Sequence, residues 1–222
     1  MTILRISSAT NNGTIVTLGD HAKGDTIVYI AYNEASGTIP TLPANVLGLY
    51  TRSSAGGSQR FGYYIADSSS ESVGTTGWTN ADNVTAIVYR GGSSSIVVPT
   101  FLSVGSVTSA TVTYPAQTAG TFKDQALDLW LFGYLVSRNT SNNLASNSPT
   151  GMSNINNSIG TGFEVATYDT NATRTTIWPS TNVTLANSAA YFAFVFELLE
   201  IDTKIASGGG FRPVNIRGGA DQ

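Results

Sequence analysis

Gly24-Asp25-Thr26-Ile27-Val28-Tyr29-Ile30-Ala31-Tyr32 sets a turn dipeptide against a run of β-branched and aromatic residues. Glycine and aspartate favour turns, whereas the residues that follow suit a pleated surface. The stretch therefore reads as a turn entering a strand over residues 26–32. The same punctuation recurs outward in both directions. Residues 3–8 and 14–18 read as strands about the turn Asn11-Asn12-Gly13. Downstream, strands are expected at 46–52 and 60–67 about a loop at 53–58, then at 84–90, closed by Gly91-Gly92. Residues 96–104 and 106–114 read as a hairpin around Gly105. Strands at 127–136, 162–169, 174–178 and 191–201 continue the rhythm beyond a polar loop at 138–147. No segment joins helical periodicity to a cap. About a dozen strands with short turns predict an all-β antiparallel sandwich, jelly-roll-like in type.

A weak internal repeat runs through this pattern. Residues 24–32 resemble Gln125-Ala126-Leu127-Asp128-Leu129-Trp130-Leu131-Phe132-Gly133-Tyr134. After each copy come a tryptophan, a polar turn and an apolar strand: Trp78 before residues 84–90, and Trp178 before residues 191–196. The spacing fits duplicated strand motifs within one sandwich, although any sandwich repeats strands and turns.

Charged residues make up 11 % of the 222-residue chain, against about 25 % in ordinary soluble domains. Hydrophobic residues hold an ordinary 41 %, so Ser, Thr, Asn and Gly have replaced charge rather than core. Disorder needs low hydrophobicity with high net charge, and the net charge is only -3. Slight acidity without a run of Lys or Arg also argues against nucleic acid. With no cysteine, disulfides, thiolate nucleophiles and the usual zinc sites are absent together. Met1-Thr2-Ile3-Leu4-Arg5-Ile6 enters strand-like sequence at once, so no signal peptide is expected. The longest apolar runs, 129–136 and 189–196, fall short of the ~20 residues of a membrane helix and read as buried strands, so membrane insertion is not expected.

Candidates for chemistry are few. The single histidine, His21, follows Asp20 in a turn-like stretch, and a distant serine would complete a triad. No Gly-x-Ser-x-Gly elbow supports this, and a solvated loop histidine is expected instead. Paired carboxylates would serve glycoside hydrolysis. Glu197 and Glu200 lie three apart on a strand and so face opposite ways. Asp67 and Glu71 flank a serine run, and Glu164 and Asp169 flank a strand. None is accompanied by the Trp, His and Arg that line a sugar-cleaving cleft. Asp169-Thr170-Asn171-Ala172-Thr173 begins like a calcium loop, yet Arg174 stands where such a loop needs glycine, so an Asx turn is expected. No catalytic, cofactor-binding or metal-binding residue is assigned, no cofactor is expected, and the chain reads as a non-enzyme.

Two features suggest binding. Trp78 and Trp178 stand at strand ends, where an exposed ring would stack on a sugar; the other reading is a pair of plugs closing the sandwich ends. Trp130 sits in an apolar run and reads as core. Residues 207–222 differ from the sandwich expected over 1–206: Ser207-Gly208-Gly209-Gly210 forms a linker, followed by an arm. In that arm Phe211, Val214 and Ile216 would anchor to a neighbouring subunit, flanked by Arg212 and Arg217.

Gly24-Asp25-x-Ile27-Val28-x-x-Ala31, Pro40 to Pro43, Gly77-Trp78 and Thr85-Ala86-Ile87-Val88-Tyr89-Arg90-Gly91 together resemble a β-sandwich type found among the accessory virion proteins of tailed bacteriophages. The likeness spans most of residues 14–200. Those proteins carry a proline-glycine-tryptophan turn after the first strand, a place that Pro43-Ala44-Asn45 occupies here. The resemblance implies a virion component that decorates the capsid or forms part of the tail or a fibre. It would be made in the host cytoplasm and assembled as a homo-oligomer with other virion proteins. The alternative is a receptor- or carbohydrate-binding module at a tail tip, with a host surface glycan as partner.

Overall fold

The computed structural model describes residues 3–91, 95–97, 101–116, 126–172 and 179–201. Strands β1 (Leu4–Asn12), β2 (Thr26–Asn33), β3 (Leu47–Ser54), β4 (Gly57–Ile65) and β5 (Asn83–Arg90) form a five-stranded sheet in the order β1-β5-β2-β4-β3. Strands β6 (Ser95–Val97), β7 (Phe101–Tyr114), β8 (Ala126–Ser137), β9 (Ser153–Ile159), β10 (Glu164–Ala172) and β11 (Thr181–Ile201) form the other. Its order is β6-β11-β8-β10-β9, with β7 also paired to β11. Every pairing is antiparallel. The fold is the expected all-β sandwich.

Strand order refines the jelly-roll-like expectation, because the chain completes one sheet before beginning the next rather than weaving between two. With β7 taken as the first strand of the second half, both sheets run first, fifth, second, fourth, third. The halves also meet reciprocally: β1 lies against β9, and β3 against β7. That is the contact pattern of a two-fold relation. The repeated segments of the sequence fall on equivalent strands, 24–32 and 125–134 on β2 and β8, 84–90 and 191–196 on β5 and β11.

Two local expectations change, and one strand appears where none was expected. Residues 14–18 are not a strand; Val16 is buried on the outer face of the first sheet, its N–H bonded to the Thr75 carbonyl at 2.9 Å. Gly105 does not turn the chain, since β7 runs through it in register with Phe192. Residues 153–159, rich in Asn and Ser, form edge strand β9. Residues 174–178 and 207–222 lie outside the described residues.

Alternation along the strands makes three cores. Val28, Ile30 and Tyr32 of β2 face the second sheet, while Ile27, Tyr29 and Ala31 face outward under Val16 and Trp78. Leu135, Tyr168 and Val195 form the matching outer layer of the second sheet beneath Leu144 and Met152. Between the sheets, Phe61 lies 4.9 Å from Phe194 and 6.1 Å from Phe196, ring centroid to ring centroid, and Phe196 lies 4.5 Å from Phe132. Two glycines let the backbone approach tyrosine rings of β2. Gly57 has φ 114°, and a Cβ there would meet the Tyr32 ring at 2.6 Å; Gly74 has φ 80° and would meet Tyr29 at 2.5 Å. Both positions need glycine for conformation as well as for space.

Phe61→Ala removes the ring shared by both sheets and is expected to lower unfolding free energy by about 3–5 kcal/mol. Gln59 sits two residues earlier in β4, with both polar atoms of its amide buried and unpartnered. Gln59→Met keeps its shape without that desolvation and is expected to raise stability by about 1–3 kcal/mol. Urea unfolding of both variants checks the pair.

Candidate functional site

The most chemical corner of the molecule is where the outer loops of the first sheet meet. Ile15, Leu18, His21, Ser70, Glu71 and Thr75 border a shallow cleft of about 310 Å³. His21 is half-buried there rather than freely solvated. Its Nε2 accepts the Glu71 backbone N–H at 2.9 Å, so Nδ1 carries the proton and donates to the Gly19 carbonyl at 2.8 Å. Both nitrogens are engaged by backbone. No base is left to take a proton from a serine, and the triad arrangement is not formed.

Asp67 and Glu71 do converge. The Tyr64 hydroxyl lies 2.9 Å from Asp67 Oδ2 and 3.2 Å from Glu71 Oε2. The other oxygen of Glu71 accepts the N–H groups of Ser72 and Val73 at 2.8 and 2.9 Å. Those backbone bonds hold the Glu71 carboxyl below the usual carboxylate range, while the hydrogen bond to Asp67 pushes Tyr64 up to about 12. A glycosidase acid needs the opposite shift, a carboxyl raised enough to keep its proton. The geometry is that of a loop clip.

Glu164 and Asp169 lie five residues apart on β10 and face opposite ways. Asp169 points between the sheets, 5 % exposed, where Arg5 Nη1 donates to Oδ1 and the Tyr89 hydroxyl lies 3.4 Å from Oδ2. It sits within a strand, so neither a calcium loop nor an Asx turn begins there. Glu164 faces outward, and its Oε1 accepts the Leu144 N–H at 2.7 Å at the start of the 3-10 turn Leu144–Ser146. Burial pushes both carboxyls above their ordinary values. Glu197 is buried on β11, with no register shift between it and Glu200.

Other ionic residues that the sequence did not single out are also structural. Arg90 grips Asp25 with two bonds of 2.7 Å. Arg138 joins the second sheet to the first through Glu34 at 3.1 Å and the Ala55 carbonyl at 3.2 Å, beside a groove of about 380 Å³. Their partners lie 65 and 104 residues away, beyond the reach of any local motif. Among the described residues, no three His, Asp or Glu side chains gather as metal ligands.

Trp78 is not a sugar platform. It is 2 % exposed, tilted against Tyr29 at 6.1 Å, and its indole N–H donates to the Gly74 carbonyl at 2.8 Å. The turn before β5 folds it over the sheet instead of leaving it on a rim. Trp130 packs against the inter-sheet core, as expected. Trp178, Phe211, Arg212, Val214, Ile216 and Arg217 lie outside the described residues. No family model, curated protein or solved structure matches the chain.

The buried carboxyls make a signed pH prediction. Folded Asp169 and Glu164 take up protons more readily than the unfolded chain, so stability rises as pH falls through their folded values toward the ordinary 3.8 and 4.5. Glu71, shifted down, stabilises the fold above 4.5 and loses that contribution as pH falls through its folded value. Asp169→Asn is expected to flatten the rise while keeping stability at pH 7 within about 1 kcal/mol of wild type. Urea midpoints measured between pH 7 and pH 4 read both effects.

Proposed function

We propose that the protein is a non-enzymatic structural component of a bacteriophage virion. It decorates or stabilises the capsid, or forms part of the tail, through protein–protein contacts. The observation that carries this reading is how the reactive groups are used: His21, Glu71, Asp169, Glu164 and Asp25 each hold backbone or another side chain in place. Chemistry at those positions would require breaking the fold. A charged fraction of 11 % leaves few charges to be desolvated when a neighbouring protein covers the surface, in line with the depletion of charge at the centres of interfaces. The virion assignment itself rests on the resemblance carried by β2, Gly77-Trp78 and β5.

The full chain is expected to co-purify with phage particles, and deletion of residues 207–222 is expected to leave the circular dichroism of the sandwich intact while reducing incorporation. Quantitative immunoblotting of purified particles measures both. Absence of the full chain from particles overturns the virion reading, and unchanged incorporation of the deletion variant removes the arm from it.

A further inference from the structure

The sandwich is sealed unevenly at the end where β4 and β11 finish. Leu47 and Tyr63 are register partners on β3 and β4, and Ile65 follows Tyr63 on the same face. That face is the one turned to the second sheet, because Phe61 of the same alternation packs on Phe194 and Phe196. Yet Leu47 is 56 % exposed and Ile65 44 %, with Tyr63 half-buried between them. Three large side chains that alternation turns toward the core thus make an apolar lip at this end of the sandwich.

The course of the chain says what can cover it. Strands β4 and β11 lie opposite each other and run toward the same end, since a Cβ on Gly56 would meet the Tyr191 carbonyl at 3.0 Å while Phe61 meets Phe194 and Phe196. The backbone of β11 therefore ends at Ile201 facing the end of β4. Sheets pack about 10 Å apart, and residues 202–210 span up to about 30 Å when extended. After that leash come Phe211, Val214 and Ile216, flanked by Arg212 and Arg217.

We infer that Phe211–Arg217 docks on the lip formed by Leu47, Tyr63 and Ile65 of its own chain. This deepens the reading of the arm as a contact segment, and rests on it, by naming its seat. A short leash gives a local concentration in the millimolar range, which favours the chain's own lip over another copy in dilute solution.

The chain contains no cysteine, so an engineered pair reports cleanly. Leu47→Cys with Val214→Cys, oxidised at low micromolar concentration, is expected to form an intramolecular disulfide. The control Ile159→Cys with Val214→Cys is expected to cross-link at least tenfold more slowly; Ile159 is as exposed as Leu47 but sits at the opposite end, beside Asn12. Adding Phe211→Ser and Ile216→Ser should slow the Leu47–Val214 cross-link at least tenfold. A cross-linked dimer instead of a monomer would show that a second copy is the occupant and overturn docking within the chain. Cross-linking no faster than the control would overturn docking on this lip altogether. If the chain still co-purifies with particles in that case, only this inference falls.

Discussion

The seam of rings between the sheets, Phe61 against Phe194 and Phe196 with Phe132 behind them, is the contact on which the rest of the molecule depends. It fixes the spacing of the two layers and the offset at which β4 lies over β11. The rest of the sandwich follows from that offset. Tyr32 meets Phe163 edge-on at 5.0 Å, and Arg52 stands 5.5 Å over the Phe192 ring. The strands that carry this seam are apolar on their other face as well, as every residue of β2 is buried. A sheet buried on both faces needs a second cover, and the chain supplies it from its own loops: residues 13–25 and 66–82 over the first sheet, 138–152 over the second. The ionic clips then have a defined task, which is to hold those covers down and to tie the two sheets at their ends.

The two halves share packing but not polar chemistry. Strand order, facing edges and the loop-covered outer layers repeat between them. The clips do not: His21 with Glu71 pins the cover of the first sheet, whereas the Glu164 carboxylate on Leu144 and the Tyr168 hydroxyl on the Leu144 carbonyl pin that of the second. Burial of apolar area is non-directional and survives wide sequence change, while each hydrogen-bonded clip needs particular donors at particular positions. A duplicated fold would keep the first and lose the second, and that is the pattern seen.

Legibility in the sequence follows the same division. The central strands were readable because their residues, Ile27 to Tyr32 or Phe132 to Val136, declare both strand propensity and burial. Edge strand β9 was not, because Ser153–Ile159 is Asn- and Ser-rich like the loops around it. The strand expected at 14–18 failed for the converse reason: Ile15, Val16 and Leu18 are apolar because they cover a sheet, not because they belong to one. The candidate site was legible only in its inventory. Asp67 and Glu71 could be named as a pair from spacing, but their shared partner Tyr64 depends on a turn that spacing does not reveal. The Arg5–Asp169 pair joins residues 164 positions apart and appears only once the sheets are stacked. Trp78 stayed open between an exposed rim and a buried plug because a tryptophan after glycine fits both, and its burial over Tyr29 decides it.

Where the molecule can meet others is limited by its edges. Pairing between β2 and β4, β2 and β5, and β8 and β10 is regular. Four irregularities involve edge strands: between Arg5 and Ser7 in β1, between Gly48 and Tyr50 in β3, where β9 pairs with Thr167 and Tyr168, and where β7 pairs with Thr184 to Tyr191; a fifth interrupts β8 and β11 between Glu200 and Ile201. A bulge increases local twist and breaks the even row of backbone donors and acceptors that another strand would need. Edges so interrupted disfavour strand-by-strand addition, although β9 carries no charge to protect it. Both broad faces are already covered by loops. What the described residues leave open to solvent is therefore side chains on the loop covers, the flanks and the ends of the sandwich rather than a bare sheet face or an even strand edge.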